Sequence, residues 1–99
     1  MNKAIFITDI AKADISQITE YIAKDNKSAS FLIADNFYKT FELLSKFPMA
    51  GTKKNGLIDK TVRIYIMKKN FAIVYRINFD KIEILRILTR YQNILAVLN

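Results

Sequence analysis

Three apolar runs in the second half of the chain, residues 62–67, 71–77 and 82–88, predict three β-strands. Val, Ile, Tyr and Phe dominate these runs, and such side chains suit a pleated, half-buried surface. Residues 68–70 and 78–81 separate the runs. Both breaks are short enough for hairpin turns, and both contain Asn, which tolerates a positive φ. The pattern therefore predicts a three-stranded antiparallel meander.

The first half of the chain changes from a strand pattern to helical periodicity. Residues 3–8 are a strand candidate that is too short to stand alone and must join the meander. Apolar residues then recur at helical spacing and predict a first helix over residues 9–24. Thr8 or Asp9 can serve as its N-cap, because either side chain can accept a hydrogen bond from the first turn.

A second helix is predicted over residues 28–46, with Ser28 as its N-cap. The loop before it is short, so the two helices should form an antiparallel hairpin. The order of strand, two helices and three strands predicts an α+β fold, with the hairpin on one face of an antiparallel sheet. The short tail, residues 91–99, is apolar and should either dock on the domain or await a partner. Residues 1–99 form a single domain, since no linker or repeat divides them.

Alternation along the strands predicts a sheet with two unlike faces. In the first meander strand, Arg63, Tyr65 and Met67 are expected opposite Val62, Ile64 and Ile66. In the last strand, Ile84, Arg86 and Leu88 are expected opposite Leu85 and Ile87. One face is fully apolar and should contact the helices. The other mixes aromatic, aliphatic and Arg side chains, as expected of a surface that a partner covers.

The charge balance favours an acidic partner. Sixteen Lys and Arg stand against nine Asp and Glu, a formal net charge of +7. This bias suits nucleic acid, an acidic protein segment or anionic lipid, although a soluble basic protein without such a partner is the alternative.

The absence of two residue types excludes several kinds of chemistry. The sequence has no Cys and no His, which excludes disulfides, thiol catalysis, an imidazole base and the common zinc ligands. No metal or cofactor is expected. The first residues do not resemble a secretory signal and no apolar run is long enough to span a membrane, so we expect a cytoplasmic protein.

The basic residues of the predicted sheet and the loop before it are the candidate site. The candidate partner- or nucleic-acid-binding residues are Lys53, Lys54, Arg63, Tyr65, Arg76, Arg86 and Arg90, with Tyr75 and Tyr91 interleaved. Such a set can bind a phosphate backbone and stabilise the charged transition state of RNA cleavage. It can equally pair with the carboxylates of an acidic protein, or consist only of ion pairs and solvated charge.

The motifs, taken in order, resemble the RelE/ParE superfamily of bacterial toxins. They are I-A-K-A-D-I-S-Q-I on the first helix, K-F-P-M-A-G after the second, T-V-R where the sheet begins, A-I-V-Y-R-I on the next strand and I-E-I-L-R-I-L on the last. The resemblance covers essentially the whole chain. It implies the toxin of a type II toxin–antitoxin system, held inactive in a hetero-oligomer by an antitoxin, for which we expect an acidic C-terminal segment.

The resemblance leaves two targets open. ParE-like members act on DNA gyrase, whereas RelE-like members cleave mRNA on the ribosome. In the second case the catalytic residues would be Arg63, Lys54 and Arg90, assisted by Tyr91. The ribonuclease branch has a Tyr after the last strand at a register that falls near Ala96 here, which favours the ParE branch. A third hypothesis is an inactive member that only binds its antitoxin.

Overall fold

The computed structural model describes residues 2–99 and confirms the predicted order of elements. The elements are β1 (Ala4–Ile7), α1 (Asp9–Ala23), α2 (Lys27–Lys46), β2 (Arg63–Met67), β3 (Phe71–Asn78), β4 (Lys81–Thr89) and α3 (Ile94–Leu98). The α+β fold class is confirmed, and the tail contains the short helix α3. No helix within residues 2–99 has both the length and the apolarity to span a membrane.

The four strands form one mixed sheet in the order β1-β4-β3-β2. The meander β2–β3–β4 is antiparallel, as predicted, but β1 pairs with β4 in parallel. The expectation of an antiparallel sheet throughout was therefore wrong for β1. The connection between β1 and β2 consists of the helical hairpin and residues 47–62. This connection is long enough to return the chain to the starting end of the sheet, so that β1, β2 and β4 all run in the same direction.

The helical hairpin packs on one face of the sheet and forms the main core. Phe37, Phe41 and Leu44 on α2 are almost fully buried there, together with Ala11 on α1. From the sheet, this core contains Met67, Ile73, Tyr75, Ile82, Ile84 and Ile87. Most of the apolar stripe predicted for the helices is thus core, as the helical spacing indicates, but Leu32, which the spacing also places in the stripe of α2, is 65% exposed.

The other face of the sheet carries a second, smaller core. Val62, Ile64, Ala72, Val74 and Leu88 are buried on this face. Leu57 from the loop before β2 covers them, as do Ile94, Leu95 and Leu98 of α3. The expectation that the fully apolar side contacts the helices was wrong for the first meander strand, because Tyr65 and Met67 from its mixed side face the helices while Val62 and Ile64 lie on this second face. The second face is covered by this chain's own loop and tail rather than by a partner. Of the two alternatives for the tail, docking on the domain is correct.

A β-bulge in β4 changes the predicted alternation of its side chains. Val74 pairs with Arg86 but Tyr75 pairs with Ile84, so that Leu85 is the extra residue. Ile84 and Ile87 consequently both belong to the helix-side core, and Leu88 belongs to the other. The expectation that Ile84 and Leu88 share a face was wrong, because one inserted residue shifts a period-two pattern by one position.

Two local predictions on caps and turns need correction. Thr8 is the N-cap of α1, but the N-cap of α2 is Asn26 rather than Ser28. The Asn26 side chain accepts from Ala29 N at 3.0 Å, so the N-cap lies two residues earlier than expected and the helix begins at Lys27. In the first hairpin the positive φ angles belong to Lys68 and Lys69, at 52° and 66°, rather than to an Asn.

Asp14 on α1 fixes the helical layer to the bulge of β4. Its carboxylate accepts hydrogen bonds from Arg86 Nε at 2.8 Å, from a second guanidinium nitrogen of Arg86 at 3.1 Å, and from Ile87 N at 2.9 Å. Only 11% of the Asp14 side chain and 27% of the Arg86 side chain is exposed. The ion pair is therefore shielded from solvent and satisfies a backbone N–H beside the bulge.

We predict that Asp14→Ala lowers the free energy of unfolding by about 2–4 kcal/mol, because it leaves a shielded guanidinium and a backbone N–H without their acceptor. Urea unfolding followed by circular dichroism measures the loss. Asp35→Ala is the control, since Asp35 pairs with Lys39 at 3.0 Å on the helix surface with both side chains more than half exposed; it should cost about 0.5 kcal/mol or less. Equal losses for the two variants would contradict the role given to Asp14.

Candidate functional site

Arg63 lies at the start of β2 and is half-buried. Its guanidinium donates a hydrogen bond to Gly51 O at 2.7 Å. The residue pairs across the sheet with Tyr75 of β3. Arg63 therefore contributes to holding the segment that follows α2, and only part of its guanidinium is open to a partner.

The hydroxyl of Tyr75 connects the buried sheet to the same segment. It donates to Pro48 O at 2.7 Å and accepts from Gly51 N at 2.8 Å. A Cβ atom on Gly51 would lie 2.6 Å from the Tyr75 hydroxyl, so this close approach requires glycine. Burial raises the pKa of Tyr75 above its ordinary value, against smaller opposing effects of the Gly51 hydrogen bond and the Arg63 charge.

Two of the predicted arginines are bound to carboxylates within the chain. Arg76 donates to Glu83 at 3.0 Å and lies 3.5 Å from Asp59, while Arg86 binds Asp14. Hydrogen bonds from Arg76 and then from Asn78 hold the pKa of Glu83 below its usual range. An Arg in an apolar strand is unfavourable unless its charge is paired. Arg76 and Arg86 meet this requirement, because each binds a carboxylate of the same chain.

Lys53, Lys54 and Tyr65 occupy separate surroundings. Lys53 and Lys54 are exposed on the loop before β2, where Lys53 Nζ donates to Lys60 O at 3.1 Å. Tyr65 is half-buried on β2 and packs against the helix-side core. The two lysines are accessible to a partner, whereas Tyr65 is largely a structural residue.

Arg90 and Tyr91 follow β4 and border a cleft of about 790 Å³. The Arg90 guanidinium lies over the Tyr91 ring, 4.8 Å from its centroid, and donates to the Tyr91 hydroxyl at 2.8 Å. The cleft lies between α1 and the end of the sheet and is lined by Gln17, Ile18, Tyr21, Ile22, Asn70, Phe71, Thr89, Arg90 and Tyr91. Its floor is apolar, its rim is aromatic, and Arg90 is the charged residue in the lining.

The structure does not bring the four candidate ribonuclease residues together. Arg63 pairs with Tyr75, and Arg90 follows Thr89, which pairs with Phe71. Four residues of β3 separate the two positions, about 13 Å along the strand, and two strand spacings add roughly 9 Å across the sheet. A phosphate bound at one of these arginines would be out of reach of the other in this arrangement.

The cleft contains residues that the sequence analysis did not select. Gln17, Ile18, Tyr21 and Ile22 lie on one face of α1 because they are spaced by four residues in two pairs. One of these residues could have been selected from the sequence, because Tyr21 is a large aromatic residue outside the apolar stripe of α1. In the structure 73% of Tyr21 is exposed. Within the described chain, no group of three Asp or Glu residues could hold a metal ion.

Comparison with known proteins finds one family model and two solved structures that match most of the chain. The family model described as "ParE toxin of type II toxin-antitoxin system, parDE" matches residues 5–94. A chain of the chromosomal ParDE toxin–antitoxin system from P. aeruginosa superposes with a TM-score of 0.73 at 19% identity, covering 88% of this chain and 95% of that one. A chain of the RelBE2 toxin–antitoxin complex from Mycobacterium tuberculosis gives a TM-score of 0.61 at 17% identity, covering 91% and 100%. No curated protein sequence matches.

We predict that Tyr75→Phe lowers the free energy of unfolding by about 1–2 kcal/mol, because Gly51 N–H and Pro48 C=O lose their shared partner in a buried site. The raised pKa of Tyr75 adds a pH signature. A raised pKa stabilises the folded state at pH values below the unfolded pKa near 10, and this contribution is lost as pH rises above it.

Urea unfolding at neutral and alkaline pH tests both points. The wild type should lose stability above pH ~10 more steeply than Tyr75→Phe. Tyr21→Phe, at an exposed position, is the matched control and should change neither quantity. An unchanged free energy of unfolding in Tyr75→Phe would show that the hydroxyl does not stabilise the loop.

Proposed function

The chain belongs to the ParE toxin family of type II toxin–antitoxin systems, and on that premise we propose that it arrests growth by acting on DNA gyrase. The family match over residues 5–94 is the observation that carries the proposal. It spans every element from β1 to the start of α3, so the resemblance includes both cores and is not confined to one motif.

The arrangement of the basic residues supports an activity by binding rather than by cleavage. Arg63 and Arg90 lie at different places on the sheet, and Arg76 and Arg86 are engaged with carboxylates. A ribonuclease of this kind needs cations and an acid–base group around one phosphate. The alternative, a ribosome-dependent mRNA endonuclease, would need these residues to move together on the ribosome.

We also propose that an antitoxin neutralises the protein. The structural neighbours come from a ParDE system and from a RelBE2 toxin–antitoxin complex, and the net charge of +7 suits an acidic segment. Lys53, Lys54 and the exposed part of Arg63 remain candidates for that contact. A small reading frame beside this one that encodes an acidic tail would identify the antitoxin.

The gyrase target is tested with purified proteins. We expect micromolar toxin to inhibit supercoiling of relaxed plasmid by gyrase while leaving relaxation of the same plasmid by topoisomerase I unchanged. The second reaction is the control, because a basic protein that merely coats DNA slows both. If the toxin inhibits neither enzyme and its induction produces new cleavage sites in translated mRNA, the gyrase target is wrong and the ribosome is the target.

Binding of the antitoxin should weaken as salt rises, because exposed ion pairs are screened. We expect the association rate to fall about tenfold between low and physiological salt, and Arg63→Ala to weaken binding further. Stopped-flow mixing of toxin with the product of the neighbouring gene measures both. Melting of Arg63→Ala is recorded in parallel, since Arg63 also holds Gly51. Binding that is insensitive to salt and to Arg63→Ala would exclude an electrostatic interface there.

A further inference from the structure

The β2–β3 hairpin contains two lysines in a conformation that lysine rarely adopts. Asn70 N donates to Met67 O at 3.3 Å, and the two residues between them, Lys68 and Lys69, have φ of 52° and 66°. Positive φ at both central positions defines a type I′ turn, which strongly favours Asn-Gly. Lys at these positions costs stability, because Cβ approaches the backbone in the left-handed region. The same turn would form more readily with Asn and Gly, which tolerate positive φ.

The strained turn adjoins the cleft beside α1. Asn70, which follows the two lysines, lines the cleft, and its carbonyl accepts from Arg90 N at 2.9 Å. Lys68, Lys69 and Arg90 are all exposed, so three cations lie at this end of the sheet. Strained residues that persist in a fold are candidates for function, and here both carry the same charge as the neighbouring Arg90.

Arg90, which follows β4, differs in its surroundings from Arg76 and Arg86, which lie within the strands. Arg76 and Arg86 bind carboxylates, whereas no carboxylate of residues 2–99 lies within ion-pair distance of Arg90. Its guanidinium is instead positioned by the Tyr91 ring and hydroxyl. An arginine that is held in place but not neutralised is suited to binding an anion.

The rim of the cleft supplies aromatic surfaces beside these cations. Tyr21 is 73% exposed and Tyr91 is 83% exposed, although both are large aromatic side chains. Phe71 lies below them in the lining. Exposed aromatic rings beside a cationic groove are the arrangement by which proteins bind single strands, with bases stacked on the rings and phosphates on the cations.

From this juxtaposition we propose that the cleft between α1 and the hairpin binds single-stranded nucleic acid. A base stacks on Tyr21 or Tyr91 at the mouth of the cleft, and the phosphates run from Arg90 in its lining past Lys69 to Lys68, which lines the neighbouring groove beside α2. An acidic protein segment fits the cations but leaves the exposed rings without a stacking partner. The site is separate from Lys53, Lys54 and Arg63, involves no cleavage, and does not depend on the proposed action on gyrase.

The decisive variant is Lys68→Asn/Lys69→Gly, which gives the turn its preferred residues. It should raise the Tm by about 4–8 °C through relief of strain, and at the same time weaken binding of a labelled single-stranded oligothymidylate. We expect at least a tenfold loss of affinity by fluorescence anisotropy, and a salt slope reduced by about 1.4, the value for two phosphate contacts. A fold defect cannot explain a loss of binding in a more stable protein.

The matched control is Lys53→Asn/Lys54→Asn, which removes the same charge from the loop before β2. It should weaken binding less than threefold. Tyr21→Ala/Tyr91→Ala should weaken binding with little change in the salt slope, because stacking releases no counterions. Equal losses for the two lysine variants would overturn the proposal, since they indicate attraction to the whole basic surface. Absence of wild-type binding at low salt, or tighter binding of a glutamate-rich peptide than of the oligonucleotide, would also overturn it.

Discussion

The fold depends on how the start of α1 is fixed to the bulge in β4. Thr8 accepts from Ala11 N as the helix cap and also donates to Leu85 O, at the extra residue of the bulge. Asp14, two turns further on, binds Arg86 and Ile87 N. These contacts satisfy backbone groups that a bulge leaves without partners, and they set the position of the helical hairpin on the sheet. Because the bulge also moves Ile87 to the helix side, one local irregularity decides which residues form each core.

A sequence pattern can show that an Arg in an apolar strand needs a partner without showing which residue that partner is, and Arg76 and Arg86 are examples. An Arg in an apolar strand requires a partner or solvent, and the sequence analysis left open whether that partner is another molecule or an ion pair within the chain. The structure supplies partners within the chain: Asp14 for Arg86, and for Arg76 both Glu83, directly opposite in the β3–β4 hairpin, and Asp59. The ion pair of Arg86 joins residues that are 72 positions apart. No local pattern reveals such a pair, because it depends on which face of α1 meets the end of β4.

Much of the fold could be predicted from apolar patterning, since helical periodicity reveals the two long helices and the apolar runs reveal the three meander strands. The parallel direction of β1 could not, because four residues carry no signal for orientation. The bulge at Leu85 was equally hidden, as Leu fits either face. For the site, the basic residues were found by type, but the cleft beside α1 was not. Its lining unites Tyr21 with Asn70 and Arg90, and only the packing of α1 against the end of the sheet brings these segments together.

The two cores differ in the elements that cover them. The helix-side core is covered by helices of 15 and 20 residues, whereas α3 has only five, too few for a stable helix in isolation. Helix α3 must therefore gain its order from contact with the sheet and with the loop before β2, where Asn99 Nδ2 donates to Gly56 O at 2.8 Å and Asn99 Oδ1 accepts from Ile58 N at 2.9 Å. Loop and tail stabilise each other, so opening one exposes Val74 and Leu88 beneath both. Opening of this cover therefore exposes apolar surface on the sheet without disturbing the helix-side core.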